Sequence, residues 1–266
     1  MACLYATIVD MLFLHSLILG IVEGITEFLP VSSTGHLILA STLLGIAQSD
    51  FQKTFEIVIQ LGAILAVIAV YWRAFLNIDT LKKVVVAFIP TGIIGLALYK
   101  VVKTYLLGND LVVLWALGLG GVALIAFEYW HVEKETAAGS IADVSYKQAV
   151  WIGLFQAISI IPGVSRSAAT ILGGLLVGLK RRTIVEFSFL LAVPTMLAAS
   201  GLDLLKTSAR FDIGQVGALA TGFVVAFIVA LFSIRFLLQY VRTHTFVPFG
   251  VYRIVLALAF FFLVLR

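Results

Sequence analysis

Glu23, Glu27, Ser32, Ser33 and His36 fall within one short stretch, Glu23 to His36 (EGITEFLPVSSTGH), and Arg166 sits far downstream in Pro162 to Thr170 (PGVSRSAAT); both stretches lie in otherwise apolar sequence. A charged side chain in mid-bilayer costs about 2.5–3.5 kcal/mol on the insertion scale. Two carboxylates one helical turn apart in such a setting therefore imply a purpose. Spaced by four, Glu23 and Glu27 share a helix face, with about 6 Å between Cβ atoms. Paired carboxylates in a low dielectric repel, which suits a proton donor or acceptor, or a ligand for a divalent cation. The structural alternative is that they tether hairpin backbone.

Ser32, Ser33 and Thr34 follow a break at Pro30 and precede a short helix expected to start near Gly35. Their backbone N–H groups and the helix dipole form an anion cradle of the kind that holds phosphate, or else their hydroxyls are simple N-caps. His36 lies one turn from Ser33, within reach to exchange a proton with a hydroxyl nucleophile or to attack phosphorus itself. Ser165, Arg166, Ser167 and Thr170 repeat the arrangement after Pro162-Gly163. Arginine grips phosphate at two points and keeps its charge, so Arg166 suits a diphosphate; a salt bridge to Glu23 or Glu27 is the alternative, and a ligand could displace that pair. Gln60, Glu186 and Arg253 are further polar intrusions and count as candidate substrate contacts, with snorkelling to an interface the other reading for Arg253. Lys180, Arg181 and Arg182 read as a cytoplasmic anchor.

The elements that position these groups are helices in a membrane. The 266 residues are 62% hydrophobic and only 12% charged, and the mean hydropathy is +1.12, where soluble domains carry about a quarter charged residues. Apolar runs at Ile57–Trp72, Val84–Tyr99, Leu111–Phe127, Phe187–Leu202, Ile213–Ile234 and Phe246–Leu265 approach the length that spans about 30 Å of hydrocarbon as a helix. They lack the two-residue alternation of barrel strands, so the fold class is all-α, a polytopic membrane protein of about six transmembrane helices. The absence of Lys or Arg before Lys53 argues against a secretory signal, so the N-terminus is expected to be retained. Cys3 is the sole cysteine, which excludes an internal disulfide, and His15, His36, His131 and His244 lack zinc-ligand spacing. The net charge of +4 fits basic loops beside anionic lipid head groups; nucleic acid is not an expected partner.

Met11 to Ala47 and Tyr146 to Leu179 do not read as simple spans. Each has a helical half, a Pro/Gly break and a second short helix, so each is expected to enter the membrane, turn and leave on the same side as a re-entrant hairpin. Pro30 and Ser33 align with Pro162 and Ser165 at an offset of about 132 residues, and three spans separate the hairpins. That predicts an inverted-topology repeat within a single membrane domain over 1–266, with halves at about 11–130 and 146–266. Under this topology Arg73, Lys82, Lys83, Lys134, Lys147, Lys180, Arg181, Arg182 and Arg242 share one face, and Lys53, Lys100, Lys103, Lys206, Arg210 and Arg266 the other. The richer face is expected to be cytoplasmic, placing both termini and the first hairpin's mouth outside.

The segments EGITEFLPVSSTGH, TFEIVIQLGA, PGVSRSAAT, EFSFLLAVP and PFGVYR, in this order and spacing, resemble the undecaprenyl-diphosphatase family, also called bacitracin-resistance proteins. The resemblance implies a bacterial inner-membrane enzyme that removes the terminal phosphate of undecaprenyl diphosphate. It would recycle the lipid carrier of cell-wall peptidoglycan synthesis and confer bacitracin resistance. It further implies that Glu23 and Glu27 form the catalytic acidic pair, Ser32, Ser33 and His36 the nucleophile region and Arg166 the phosphate clamp, with Mg²⁺ or Ca²⁺ as cofactor. The family's usual Ser-Gly-Ala-Thr is here Ser167-Ala168-Ala169-Thr170, whose added methyl at Ala168 restricts backbone approach to phosphate. The expected partners are a polyprenyl diphosphate, membrane lipids and a second copy in a homodimer. The expected reaction has Ser33 attacking the terminal phosphorus where the two hairpin tips meet, with His36 or Glu27 managing its proton. The rival reading is a lipid-phosphate flippase or transporter, since broken helices and inverted repeats also build carriers.

Overall fold

The computed structural model describes residues 2–106, 108–133, 137–206 and 213–265. Lys134, Arg210 and Arg266, which enter the orientation count above, lie outside them. The described residues form helices α1 (Ala2–Thr26), α2 (Ser33–Leu43), α3 (Asp50–Leu76), α4 (Ile78–Val101), α5 (Asp110–Trp130), α6 (Tyr146–Ala157), α7 (Arg166–Leu176), α8 (Arg181–Lys206), α9 (Ile213–Tyr240) and α10 (Val247–Phe260). Among them the only extended pairing is an isolated bridge between Ala138 and Leu179.

Helix starts follow local chemistry. Ser49 accepts a hydrogen bond from the Gln52 amide at the head of α3, Asn109 caps α5, and Ser145 with Gln148 forms a reciprocal capping box on α6. Ends follow breakers: α1 stops before Pro30, and the chain after α6 passes through a short 3₁₀ turn to Gly163, whose φ of +90° suits a residue without Cβ. Segments within α3, α4, α5, α8 and α9, and α10 continued through the helical turn after it to Val264, are long and apolar enough to cross a membrane, as the runs in the sequence predict.

Packing exchanges the two ends of the chain. Helix α1 packs chiefly on α9, and α6 chiefly on α4; α3 meets both α8 and α9, and α5 lies along α10. Lipid tails are as apolar as leucine, so such contacts depend on close approach more than on the hydrophobic effect. Glycines supply that approach. A Cβ at Gly24 of α1 would meet the Ala226 carbonyl of α9 at 2.8 Å, and one at Gly153 of α6 would collide with the Ala87 carbonyl of α4. Phe28, Ile64, Phe187, Phe189, Ile234 and Phe246 fill the interior, while Ile93, Trp115, Leu119 and Phe232 face outward, as a lipid-facing surface requires.

Candidate active site

Six residues, 27–32, separate the end of α1 from α2, whose first residue is Ser33. Its hydroxyl is not spent on a cap: Oγ donates to Glu27 Oε2 at 2.6 Å. The other oxygen of Glu27 accepts from Arg166 Nη2, the first residue of α7, at 3.3 Å, with both side chains nearly buried. Arg166 is steadied from behind by α8, where Nη1 donates to the Ser188 carbonyl at 2.9 Å, and its guanidinium lies 5.8 Å from the Phe28 ring centre. Acid, hydroxyl and guanidinium from two distant broken-helix segments thus meet at one carboxylate. They line a polar cavity of about 170 Å³ shared with Ser32, Thr34, Gln60, Ser159, Ser165 and Thr195.

Glu23 stands one turn below Glu27 and is 1% exposed. Neither of its oxygens has a hydrogen-bond partner. Glu27, Glu56 and Arg166 are the charged groups that act on it. A buried carboxylate without partners is costly unless a positive charge or donor joins it. Two carboxylates against one guanidinium also leave no surplus positive charge for an incoming diphosphate.

Several sequence candidates lie elsewhere. His36 points away from the polar cavity into an apolar one of about 380 Å³, lined by Ile25, Leu29, Phe236, Phe249 and Tyr252 among others. Its Nδ1 lies 2.8 Å from the Ser32 carbonyl and its Nε2 2.7 Å from the Tyr252 hydroxyl, so neither nitrogen is directed at Ser33. Glu186 pairs with Arg182 one turn earlier, at 2.9 Å, and does not line the cavity. Arg253 neither snorkels nor enters the site: 1% exposed, it donates to the carbonyls of Leu117, Ala116 and Gly163 at 2.8–3.3 Å and approaches that of Pro30 at 3.5 Å. It ties both chain breaks to α5. Ser167 donates to the Phe28 carbonyl at 2.8 Å, and Thr170 bonds Ser188 at 2.6 Å, so both brace α7 and are turned away from the cavity. Arg181 does more than anchor: it bridges Glu128 at 2.7 Å and Glu133 at 3.3 Å. Sequence reasoning overlooked Ser188 and Thr195, whose only signal is their place in the apolar helix that also carries Glu186, and Tyr252, beside Arg253 in PFGVYR.

The profile of the bacitracin resistance protein BacA family matches residues 16–259. The chain belongs to the BacA family. Relatives of this BacA chain include the undecaprenyl-diphosphatase of Sulfurihydrogenibium sp. (strain YO3AOP1), 51% identical over 93% of the chain and 98% of the relative. The undecaprenyl-diphosphatase of Wolinella succinogenes is 53% identical over 93% and 96% respectively, and that of Aquifex aeolicus 49% over 92% and 96%. At Ala168, where this BacA sequence departs from the pattern described above, the amide donates to the Ser165 hydroxyl at 3.1 Å, so that N–H serves the helix cap and is not offered to a ligand.

Proposed function

We propose that this chain is an undecaprenyl-diphosphatase, hydrolysing undecaprenyl diphosphate to undecaprenyl phosphate and inorganic phosphate in the bacterial inner membrane. It would thereby return the lipid carrier to cell-wall synthesis and confer bacitracin resistance. The observation that carries this reading is Glu27, hydrogen-bonded through one oxygen to the Ser33 hydroxyl at 2.6 Å and through the other to Arg166. A carboxylate so placed can take the hydroxyl proton while the guanidinium neutralises the phosphoryl oxygens.

Ser33 Oγ attacks the terminal phosphorus as its proton passes to Glu27. The anhydride P–O bond breaks, and undecaprenyl phosphate leaves with that proton. Water, deprotonated in turn by Glu27, attacks the phosphoserine, releasing inorganic phosphate and restoring the Ser33 hydroxyl. Arg166, pre-positioned by Ser188, holds the transferring phosphoryl group. Ser32, Thr34, Ser165 and Gln60 line the same cavity and supply polar contacts to the diphosphate.

Glu23 and Glu27 fit a divalent cation of the Mg²⁺ or Ca²⁺ kind. Among the described residues no group of three or more His, Cys, Asp or Glu side chains is placed to cage a metal alone, so a cation on these two carboxylates would take its remaining ligands from substrate phosphates and water. Such an ion would neutralise diphosphate charge and relieve the unpartnered Glu23.

Each hairpin's first helix packs on the other half's fourth, α1 on α9 and α6 on α4, while the corresponding pairs α3–α8 and α5–α10 meet. This exchange supports two re-entrant hairpins in an inverted repeat; the Lys/Arg bias between the two faces is what favours a first mouth opening to the periplasm.

The test is phosphate release from undecaprenyl diphosphate by purified protein in detergent, where no compartments exist and a pure carrier releases none. Activity abolished by chelator and restored by added Mg²⁺ or Ca²⁺ is the expected result; activity indifferent to chelation removes the cation from the reading.

A further inference from the structure

Ser32 is the one non-glycine residue at positive φ among the described residues, with φ 71° and ψ 96°. L side chains rarely adopt that conformation, and it persists where surroundings over-determine it. The Ser32 side chain makes no cap bond to α2. The hold comes through its carbonyl, which receives the His36 backbone N–H at 3.4 Å and the His36 ring Nδ1 at 2.8 Å. A carbonyl oxygen can only accept, so Nδ1 carries a proton, and in the neutral ring Nε2 accepts from the Tyr252 hydroxyl 2.7 Å away. The two rings stack, 5.5 Å between centroids and 9° between planes. Tyr252 and Arg253 of α10 are the titratable and charged groups facing the imidazole, and Tyr240 of α9 lines the same apolar cavity. Next in the chain, Ser33 aims its hydroxyl at Glu27.

We propose that His36 is a positioning residue, not a proton carrier: backed by Tyr252, it locks the left-handed Ser32 backbone that presents the Ser33 hydroxyl to Glu27. The inference rests on the reading of Ser33 as nucleophile of a diphosphatase. His36 contributes a donor at Nδ1 and a rigid ring, while the chemistry of proton transfer stays with Glu27.

The experiment measures kcat, KM and their pH profiles with undecaprenyl diphosphate in detergent, alongside thermal unfolding of each variant. His36→Asn keeps an amide donor near the Nδ1 position and has nothing to titrate; it is expected within about tenfold of wild type, with both limbs of the pH profile intact. His36→Leu, lacking the donor, is expected to lose about 100-fold or more. Tyr252→Phe keeps the stacked ring and is expected to lower kcat by about tenfold at every pH, KM unchanged. A His36→Asn variant as inactive as His36→Leu, or one missing a limb of the profile, overturns the proposal. If His36→Asn does not fold, Tyr252→Phe decides: a parallel profile supports positioning, and one shifted along the pH axis shows a titrating imidazole in the reaction. A wild-type chain inert toward the lipid removes the diphosphatase reading and this inference with it, whereas an active wild type beside an inactive, folded His36→Asn removes the inference alone.

Discussion

Glu27 is the residue on which the site converges, and its two oxygens do different things. One receives the Ser33 hydroxyl and the other the Arg166 guanidinium, so a change at either partner alters a separate part of the chemistry. Ser33→Ala removes the proposed nucleophile and is expected to lower kcat by about 10³-fold or more, read as phosphate release, with the protein still folded. Arg166→Lys retains the charge but loses the planar fork that joins Glu27 to the Ser188 carbonyl. An activity loss of about 10²-fold is expected, and a variant with wild-type kcat would show that a point charge is enough. The unusual φ of Ser32, of a kind that costs about 1–3 kcal/mol, sits immediately before the proposed nucleophile, where such strain commonly serves function.

Helices meet at the site because Arg253 and a few glycines bring them together. Arg253 donates to carbonyls on α5 and in the second chain break and approaches that of Pro30 in the first. Arg253→Met keeps much of the volume but takes the side-chain donor from the Gly163 carbonyl and from the vicinity of the Pro30 carbonyl, both in chain breaks, at about 1–3 kcal/mol for each that water does not reach, whereas the Ala116 and Leu117 carbonyls keep their helical amide donors. A fall in the unfolding midpoint of about 5 °C or more is expected, with activity lost in step because both breaks loosen. An unchanged midpoint would mean that the breaks are held by other contacts. Gly153→Leu tests the α4–α6 seam in the same way: no side chain fits against the Ala87 carbonyl, so the helices must separate, and the yield of folded, monodisperse protein in detergent is expected to drop.

Across the described residues the outer surface is largely apolar while the polar cavity lies inside. Orientation is testable because Cys3 is the sole cysteine. In a Cys3→Ser background, Gln48→Cys, at the exposed mouth beside α3, is expected to react with a membrane-impermeant maleimide in intact cells. Lys147→Cys, at the start of α6, is expected to react only after permeabilisation. Reversed labelling would place the site's mouth in the cytoplasm.

Composition and apolar run length determined the helical membrane class by themselves, because the cost of burying backbone and charge in lipid acts on every residue whatever its neighbours. The acidic pair, the serine and the distant arginine were equally legible, since each is expensive in apolar sequence and so stands out. Only the tertiary structure decided which of these groups touch. His36 and Ser33 are three apart, yet the helix turn sends them into different cavities; Ser33 and Arg166 meet because two chain breaks are pinned by Arg253. Sequence spacing describes a side chain's neighbours along one helix, whereas contacts between helices depend on packing at small residues that spacing does not encode.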